Sequence, residues 1–143
     1  MKKVVLDSNQ FIFALRDEEE FCAKIIKLSG IRFETVISET IINEVFSRLK
    51  ELENKDFASF IIHAIKNLKI KIYDDTLIPS TMIKKYLERG AKKGDASIAA
   101  FTEWIQADYL VTENRHFLRE LEIDAFETIN AEDFMGIIKG RDS

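Results

Sequence analysis

Short apolar runs alternate with longer amphipathic segments along the whole chain. Five of the runs are rich in β-branched residues and predict strands, and apolar positions with a helical period predict helices between them. The predicted strands cover residues 3–7, 35–37, 69–73, 109–112 and 125–129. No tight hairpin turn joins two of these runs, so we expect an α/β fold with a mostly parallel sheet covered by helices on both faces.

Polar residues stand where several predicted helices begin. Asn9, Ser38 and Asn130 have side chains that commonly cap a helix, because they accept a hydrogen bond from a backbone N–H of its first turn. Pro79 fits the first turn of a further helix, and Gly90 fits the end of that helix. These signals place the helices between the predicted strands.

The composition favours one folded domain. The chain has 143 residues, of which 46% are hydrophobic and 32% are charged, and a chain of this length can bury a full core. We therefore expect residues 1–143 to form a single domain. The only cysteine, Cys22, excludes an intramolecular disulfide and suits a reducing compartment. No apolar run is long enough to span a membrane, and we expect a cytoplasmic protein.

The charge of the chain gives no general attraction to nucleic acid, because the formal net charge is −4. A polyanionic partner would need a local basic patch, and one basic run lies just before Asp95. It contains Lys84, Lys85, Arg89, Lys92 and Lys93. Such a run is either a solvated surface or a set of contacts to an RNA backbone.

One stretch joins a helix to a strand between two candidate site residues. Asp95 opens the helix, whose alanine-rich face permits close packing on a sheet, and Asn114 follows the strand. Thr112 and Glu113 end the same strand, at the edge where ligand sites form in parallel sheets. Glu113 itself is expected at the surface.

Two further carboxylates are directed to the same edge. Asp7 ends the first strand, and Glu44 lies on the flank of the helix that follows the second. If strands one and four are neighbours, these groups converge with Asp95. Two like charges about 4 Å apart repel by about 4 kcal/mol at an effective dielectric of 20, so the cluster needs a proton or a divalent cation. Oxygen ligands alone favour Mg²⁺ or Mn²⁺.

Each of these residues also has a purely structural explanation. Asp95 fits a helix cap or a first-turn partner of the helix dipole, Glu44 a solvated helix position, and Asn114 the cap of the next helix. Asp7 is the hardest to explain without a site, because a buried strand rarely ends on an unpartnered acid.

Four segments together resemble the PIN-domain family, the fold of the toxins in many bacterial and archaeal toxin–antitoxin pairs. They are VVLDSN at 4–9, ISETIINEV at 37–45, KGDASIAA at 93–100 and ADYLVTENRHF at 107–117. Each segment is short, but their order and spacing are typical of the family. The resemblance covers nearly the full chain and implies a three-layer α/β/α domain whose first strand is central. It also implies Mg²⁺- or Mn²⁺-dependent cleavage of RNA phosphodiester bonds.

The family's acidic positions fall on Asp7, Glu44 and Asp95, and its fourth position falls on Asn114. The resemblance implies that the three acids hold the metal ion and act in catalysis, and that Asn114 assists through its amide oxygen or a water. Ser8 and Thr112 are expected to support them by hydrogen bonds. Many family members have aspartate at the fourth position, so Asn114 removes one charge.

The resemblance also implies partners. RNA would be the substrate, a small antitoxin the inhibitor, and a second copy of the chain the partner in a homodimer. The predicted helices 39–52 and 54–68 are rich in Phe and Ile, which form either core or a groove for an antitoxin helix.

Two other functions fit the same pattern. A PIN-like module that binds RNA or a protein without cutting is kept open by Asn114. A phosphotransfer domain of similar topology, such as a haloacid-dehalogenase-like phosphatase or a response-regulator receiver, is the other alternative. The phosphatase would require a second aspartate two residues after Asp7, where this chain has Asn9.

Overall fold

A parallel sheet forms the centre of the fold in the computed structural model, which describes residues 1–140. Its five strands are β1 (Lys3–Leu6), β2 (Glu34–Ser38), β3 (Lys71–Tyr73), β4 (Tyr109–Val111) and β5 (Glu127–Ile129). They follow the order β3-β2-β1-β4-β5, and every pair is parallel. The prediction of a parallel five-stranded sheet with strand one at its centre is confirmed.

Helices fill the connections between the strands. They are α1 (Ser8–Leu15), α2 (Glu20–Leu28), α3 (Glu39–Leu52), α4 (Lys55–Lys66), α5 (Ser80–Glu88), α6 (Lys93–Trp104) and α7 (Ala131–Gly140). A short 3₁₀ turn (Asp75–Leu77) precedes α5, and a single π-helical turn (His116–Glu120) follows β4. Two-helix connections from β1 to β2, from β2 to β3 and from β3 to β4 match the lengths that parallel crossovers require.

The central strand is covered on both faces. Val4, Val5 and Leu6 have no exposed surface, although successive residues of a strand point to opposite sides of the sheet. Helices therefore pack on both faces, and the predicted three-layer α/β/α arrangement is confirmed. Burial of polar backbone in such a strand is tolerated because both of its edges are paired, with β2 on one side and β4 on the other.

Two of the three predicted caps are present. The Ser38 hydroxyl accepts a hydrogen bond from Ile41 N at 3.3 Å, and Asn130 Oδ1 accepts one from Asp133 N at 2.8 Å. The prediction that Asn9 caps the first helix is wrong. The chain turns directly from β1 into α1, so Asp7 is the cap and accepts from Ser8 N at 2.7 Å.

The prediction that Asp95 opens its helix is also corrected. The α6 helix begins two residues earlier, at Lys93, because Lys92 O already accepts a hydrogen bond from Ala96 N at 2.8 Å. Asp95 lies in the first turn and makes no capping bond. The capping explanation therefore does not account for this carboxylate.

The single cysteine of the chain lies in the core. Cys22 is 1% exposed, and burial raises the pKa of its thiol, so it behaves as a small apolar core residue. Within residues 1–140, no helix is both long and apolar enough to cross a bilayer.

Candidate functional site

Asp7 lies at the junction of β1 and α1, beside the end of β4. Leu6 pairs with Val111, so the residues that follow these two strands stand next to each other. Asp7 N donates to Val111 O at 3.0 Å, and Thr112 Oγ1 donates to Asp7 Oδ2 at 2.7 Å. The other carboxylate oxygen accepts from Ser8 N. The carboxylate is thus fixed through both oxygens.

The environment of Asp7 disfavours its charge. The residue is 4% exposed, and burial is the main cause that raises the pKa of its carboxyl group. Hydrogen bonds from Thr112 and Ser8 act in the opposite direction, and the negative charge of Asp95 raises the pKa further. A buried carboxylate of this kind is stabilised by a nearby cation.

Glu44 reaches the same place from α3. That helix begins immediately after β2, the neighbour of β1, and Glu44 lies in its second turn, half-buried. Burial raises the pKa of Glu44 most, followed by the negative charge of Asp7 and, more weakly, that of Asp95; a hydrogen bond with Ser8 and the charge of Arg48 lower it. Glu44 is therefore not the solvated helix residue that was the alternative explanation.

A glycine in α6 makes room for Glu44. A Cβ atom at position 94 would lie 2.9 Å from Glu44 Oε1, which is closer than real Cβ contacts allow. The Glu44 carboxylate therefore lies against the first turn of α6, next to the backbone that carries Asp95. Elements remote in sequence, β1, α3 and α6, bring three acids together.

A cavity of about 360 Å³ opens beside the acids at the carboxyl edge of the sheet. Its size is within the range of ligand sites in proteins. Its lining consists of Asp7, Ser8, Asn9, Ile12, Phe13, Arg48, Asp95, Glu113 and Asn114. The lining thus combines polar and acidic groups with two apolar side chains, Ile12 and Phe13.

Asn114 both lines this cavity and orders the turn after β4. Its Oδ1 accepts from His116 N at 3.0 Å, and its own N–H donates to Thr112 Oγ1 at 3.0 Å. The two explanations for Asn114, a local cap and a site residue, are therefore compatible. Thr112 links Asn114 to Asp7, as its predicted supporting role requires.

Glu113 and Gln10 form a part of the site that the sequence analysis did not predict. Glu113 is half-buried rather than at the surface, and its Oε2 accepts from Gln10 Nε2 at 2.5 Å and from Ala131 N at 3.1 Å. Gln10 has no exposed surface. The pair ties α1 to the start of α7. The only sequence signal was a glutamine that directly precedes the apolar residues of α1.

The predicted basic run does not line the cavity. Lys85 Nζ pairs with Glu103 Oε1 at 2.6 Å, and Arg89 donates to Glu122 O at 3.0 Å. The other three, Lys84, Lys92 and Lys93, are exposed and make no ion pair within residues 1–140. Their role as contacts to an RNA backbone stays a prediction.

The donor set fits a hard divalent cation. Within residues 1–140, no three acidic, histidine or cysteine side chains are close enough to form a complete metal cluster. Mg²⁺ and Mn²⁺ do not need one, since such ions bind through one or two carboxylates and keep several waters. The mutual repulsion of Asp7, Glu44 and Asp95 would be relieved by an ion bound between them.

Solved structures with the same architecture identify the fold as that of the PIN domains. VapBC2 from Rickettsia felis, bound to a DNA fragment from its promoter, contains a chain that matches with a TM-score of 0.72 and 18% identity, over 90% of this chain and 98% of that one. The T. brucei RRP44 PIN domain matches with a TM-score of 0.60 and 10% identity, over 99% and 84% of the two chains.

A third similar structure is VapC20 from Mycobacterium tuberculosis, a sarcin-ricin loop cleaving toxin. It matches with a TM-score of 0.59 and 8% identity, over 75% of this chain and 86% of that one. No family model matches the sequence, and no curated protein matches it. The PIN-domain resemblance of the four sequence segments is thus confirmed for the fold. The strand order also differs from the 2-1-3-4-5 order of receiver domains, which contradicts the receiver alternative.

Replacing Gly94 tests the contact between α6 and Glu44. Because the clashing atom is the end of a flexible side chain, Gly94→Ala should displace the Glu44 carboxylate rather than unfold the helix. We expect Mn²⁺ affinity, measured by calorimetry, to fall about tenfold, with little change in the melting temperature.

Gly136→Ala in α7 is the matched control. A Cβ atom there meets nothing within 4 Å, so the variant should gain about 0.5–1 kcal/mol from helix propensity and bind Mn²⁺ like the wild type. Equal Mn²⁺ affinity for Gly94→Ala and the wild type would show that the position of Glu44 does not matter for the ion.

The raised pKa of Glu44 predicts that the stability difference between the wild type and a Glu44→Gln variant depends on pH. The folded state holds this proton more tightly than the unfolded chain, so ionisation of Glu44 lowers stability as the pH rises through the folded-state pKa. In EDTA at neutral pH, Glu44→Gln should therefore be more stable than the wild type by about 1 kcal/mol, because the uncharged amide avoids both the burial of a charge and the repulsion from Asp7.

The difference should disappear below the ordinary pKa range of glutamate, at about pH 4. Urea unfolding at both pH values measures it, and Glu51→Gln, at an exposed position of the same helix, is the control. A Glu44→Gln variant that is less stable than the wild type at neutral pH would contradict the conclusion that burial and repulsion disfavour the charge of Glu44.

Proposed function

We propose that this chain is a Mg²⁺- or Mn²⁺-dependent endoribonuclease that acts as the toxin of a toxin–antitoxin pair. The observation that carries the proposal is the convergence of Asp7, Glu44 and Asp95 beside a cavity at the carboxyl edge of the sheet. The fold supports it, because the structures that share it include VapBC complexes and a toxin that cleaves the sarcin-ricin loop.

The chain's own residues position the reacting groups. Asp7, Glu44 and Asp95 would hold the ion, and Asn114 would assist at the same cavity. Ser8 N and Thr112 Oγ1 each bind one oxygen of Asp7, which keeps the carboxylate in one orientation. The ion would supply Lewis-acid chemistry, activating water for in-line attack on phosphorus and stabilising the negative charge that develops on the phosphate oxygens.

The cavity suits an unpaired segment of RNA. Its volume of about 360 Å³ admits a small part of a strand and not a duplex. Ile12 and Phe13 add apolar and aromatic surface to its lining, and unstacked bases bind to apolar and aromatic side chains. We therefore expect cutting in single strands or loops.

The non-catalytic alternative rests on Asn114. With asparagine there, the four positions that correspond to the family's acidic residues hold three carboxylates rather than four, and the amide oxygen already accepts from His116 N. A PIN-like module that only binds RNA or a protein would bind divalent ions weakly and would be insensitive to replacement of Asp95. The cleavage experiment below separates the two functions.

The partners belong to the same proposal. An antitoxin helix would bind at α3 and α4, where Phe60 is 68% and Leu52 44% exposed and where Phe46 and Ile62 line a cavity of about 240 Å³. A homodimer is also expected. Of the basic run, the three exposed lysines are those available to an RNA backbone.

Asp95→Asn is the direct test of the nuclease. Wild-type protein should cut a pool of single-stranded and looped RNAs with Mg²⁺ or Mn²⁺ and not in EDTA. Because Asn removes the charge of a proposed metal ligand, cutting should fall at least about a hundredfold in the variant. Gel analysis of the cleaved RNAs measures both effects.

Asp133→Asn, at an exposed position of α7, is the matched control and should cut like the wild type. Equal cutting by Asp95→Asn and wild type would point to a contaminant. If neither the wild type nor Asp95→Asn cuts RNA, but both bind RNA or a partner equally well, the non-catalytic binding module is favoured.

A further inference from the structure

One basic side chain stands among the acids of the cavity. Arg48 is the only lysine or arginine of residues 1–140 that lines it. It lies four residues after Glu44 on α3, so the two side chains project from the same face, about 6 Å apart along the helix axis. The basic residues singled out from the sequence lie elsewhere.

Arg48 is not held in an ion pair by a neighbouring carboxylate of the described residues. Within residues 1–140, its guanidinium makes no ion pair shorter than 4 Å, although Arg16 and Arg89 do. Arg48 is also exposed to solvent, so its five N–H donors are accessible to a ligand in the cavity.

A nucleic-acid strand needs a cation at this position. Asp7, Asp95 and Glu113 line the cavity, and each carboxylate repels a phosphate. An ion held by the carboxylates would offset part of this repulsion at the phosphate under attack. A neighbouring phosphate would still face an acidic wall unless a fixed positive charge met it.

We propose that Arg48 binds a phosphate of the RNA strand next to the acidic site and so holds the strand in the cavity. This inference rests on the proposed ribonuclease function and deepens it by naming a residue that contacts the substrate. A guanidinium suits the role better than an ammonium, because its planar donors bind two phosphate oxygens at once.

The test measures RNA binding without cleavage. A fluorescein-labelled pool of single-stranded RNA is titrated with protein in EDTA and followed by anisotropy over a range of salt concentrations. Arg48→Met keeps the aliphatic stem and removes the charge. We expect about tenfold weaker binding, consistent with one charge-assisted hydrogen-bonding contact, and a salt dependence whose slope falls by about 0.7.

Two further variants make the result specific. Arg48→Lys keeps the charge without the planar fork and should fall between Arg48→Met and the wild type. Lys50→Met removes a positive charge from an exposed position of the same helix that does not line the cavity, and should bind RNA within about twofold of the wild type. Thermal melting confirms that each variant is folded.

The outcomes separate this inference from the proposed function. If the wild type binds RNA and Arg48→Met binds equally well, or if Lys50→Met loses as much affinity, the role of Arg48 is contradicted while the nuclease stands. If the wild type does not bind the pool in EDTA, the role of Arg48 is contradicted; if it also fails to cut the pool with Mn²⁺, the proposed nuclease falls as well.

Discussion

The parallel pairing of β1 with β4 is the constraint on which the site depends. The register that places Leu6 beside Val111 also places Asp7 beside Thr112, so the hydrogen bond from Thr112 to the buried carboxylate follows from the sheet itself. The absence of a loop between β1 and α1 makes Asp7 a strand end and a helix cap at once. A shift of one residue in this pairing would turn Thr112 to the other face of the sheet.

A fold that gathers like charges must compensate them. Burial of Asp7 and half-burial of Glu44 raise the pKa values of both carboxyl groups, and the charge of Asp95 adds to both. The close approach of Glu44 to Gly94 shows that the backbone of α6 is shaped to admit a third acid. The structure thus accepts a local cost in stability, which is common where a protein binds a ligand.

The sequence predicted those parts of the molecule that depend on local pattern. An apolar run ending in Asp7, the serine cap of α3 and the alanine-rich face of α6 each act within a few residues, and each is present in the fold. Glu113 and Arg48 could not be placed in this way. Their surroundings are created by helices and strands distant in the chain, and a glutamate or arginine in isolation looks like an ordinary surface residue. The prediction that Asn9 caps α1 is wrong because β1 leads into α1 without a loop. The sequence alone does not show that boundary.

Locating a bound divalent ion would show whether Asp7, Glu44 and Asp95 form a metal site. Crystals grown with Mn²⁺ and measured near the manganese absorption edge would give an anomalous peak at each bound ion. We expect a peak about 2.0–2.2 Å from carboxylate oxygens of Asp7 and of at least one of Glu44 and Asp95, with Arg48 turned toward the same cavity. No peak among these carboxylates at saturating Mn²⁺, or a peak only at an unrelated surface, would contradict it.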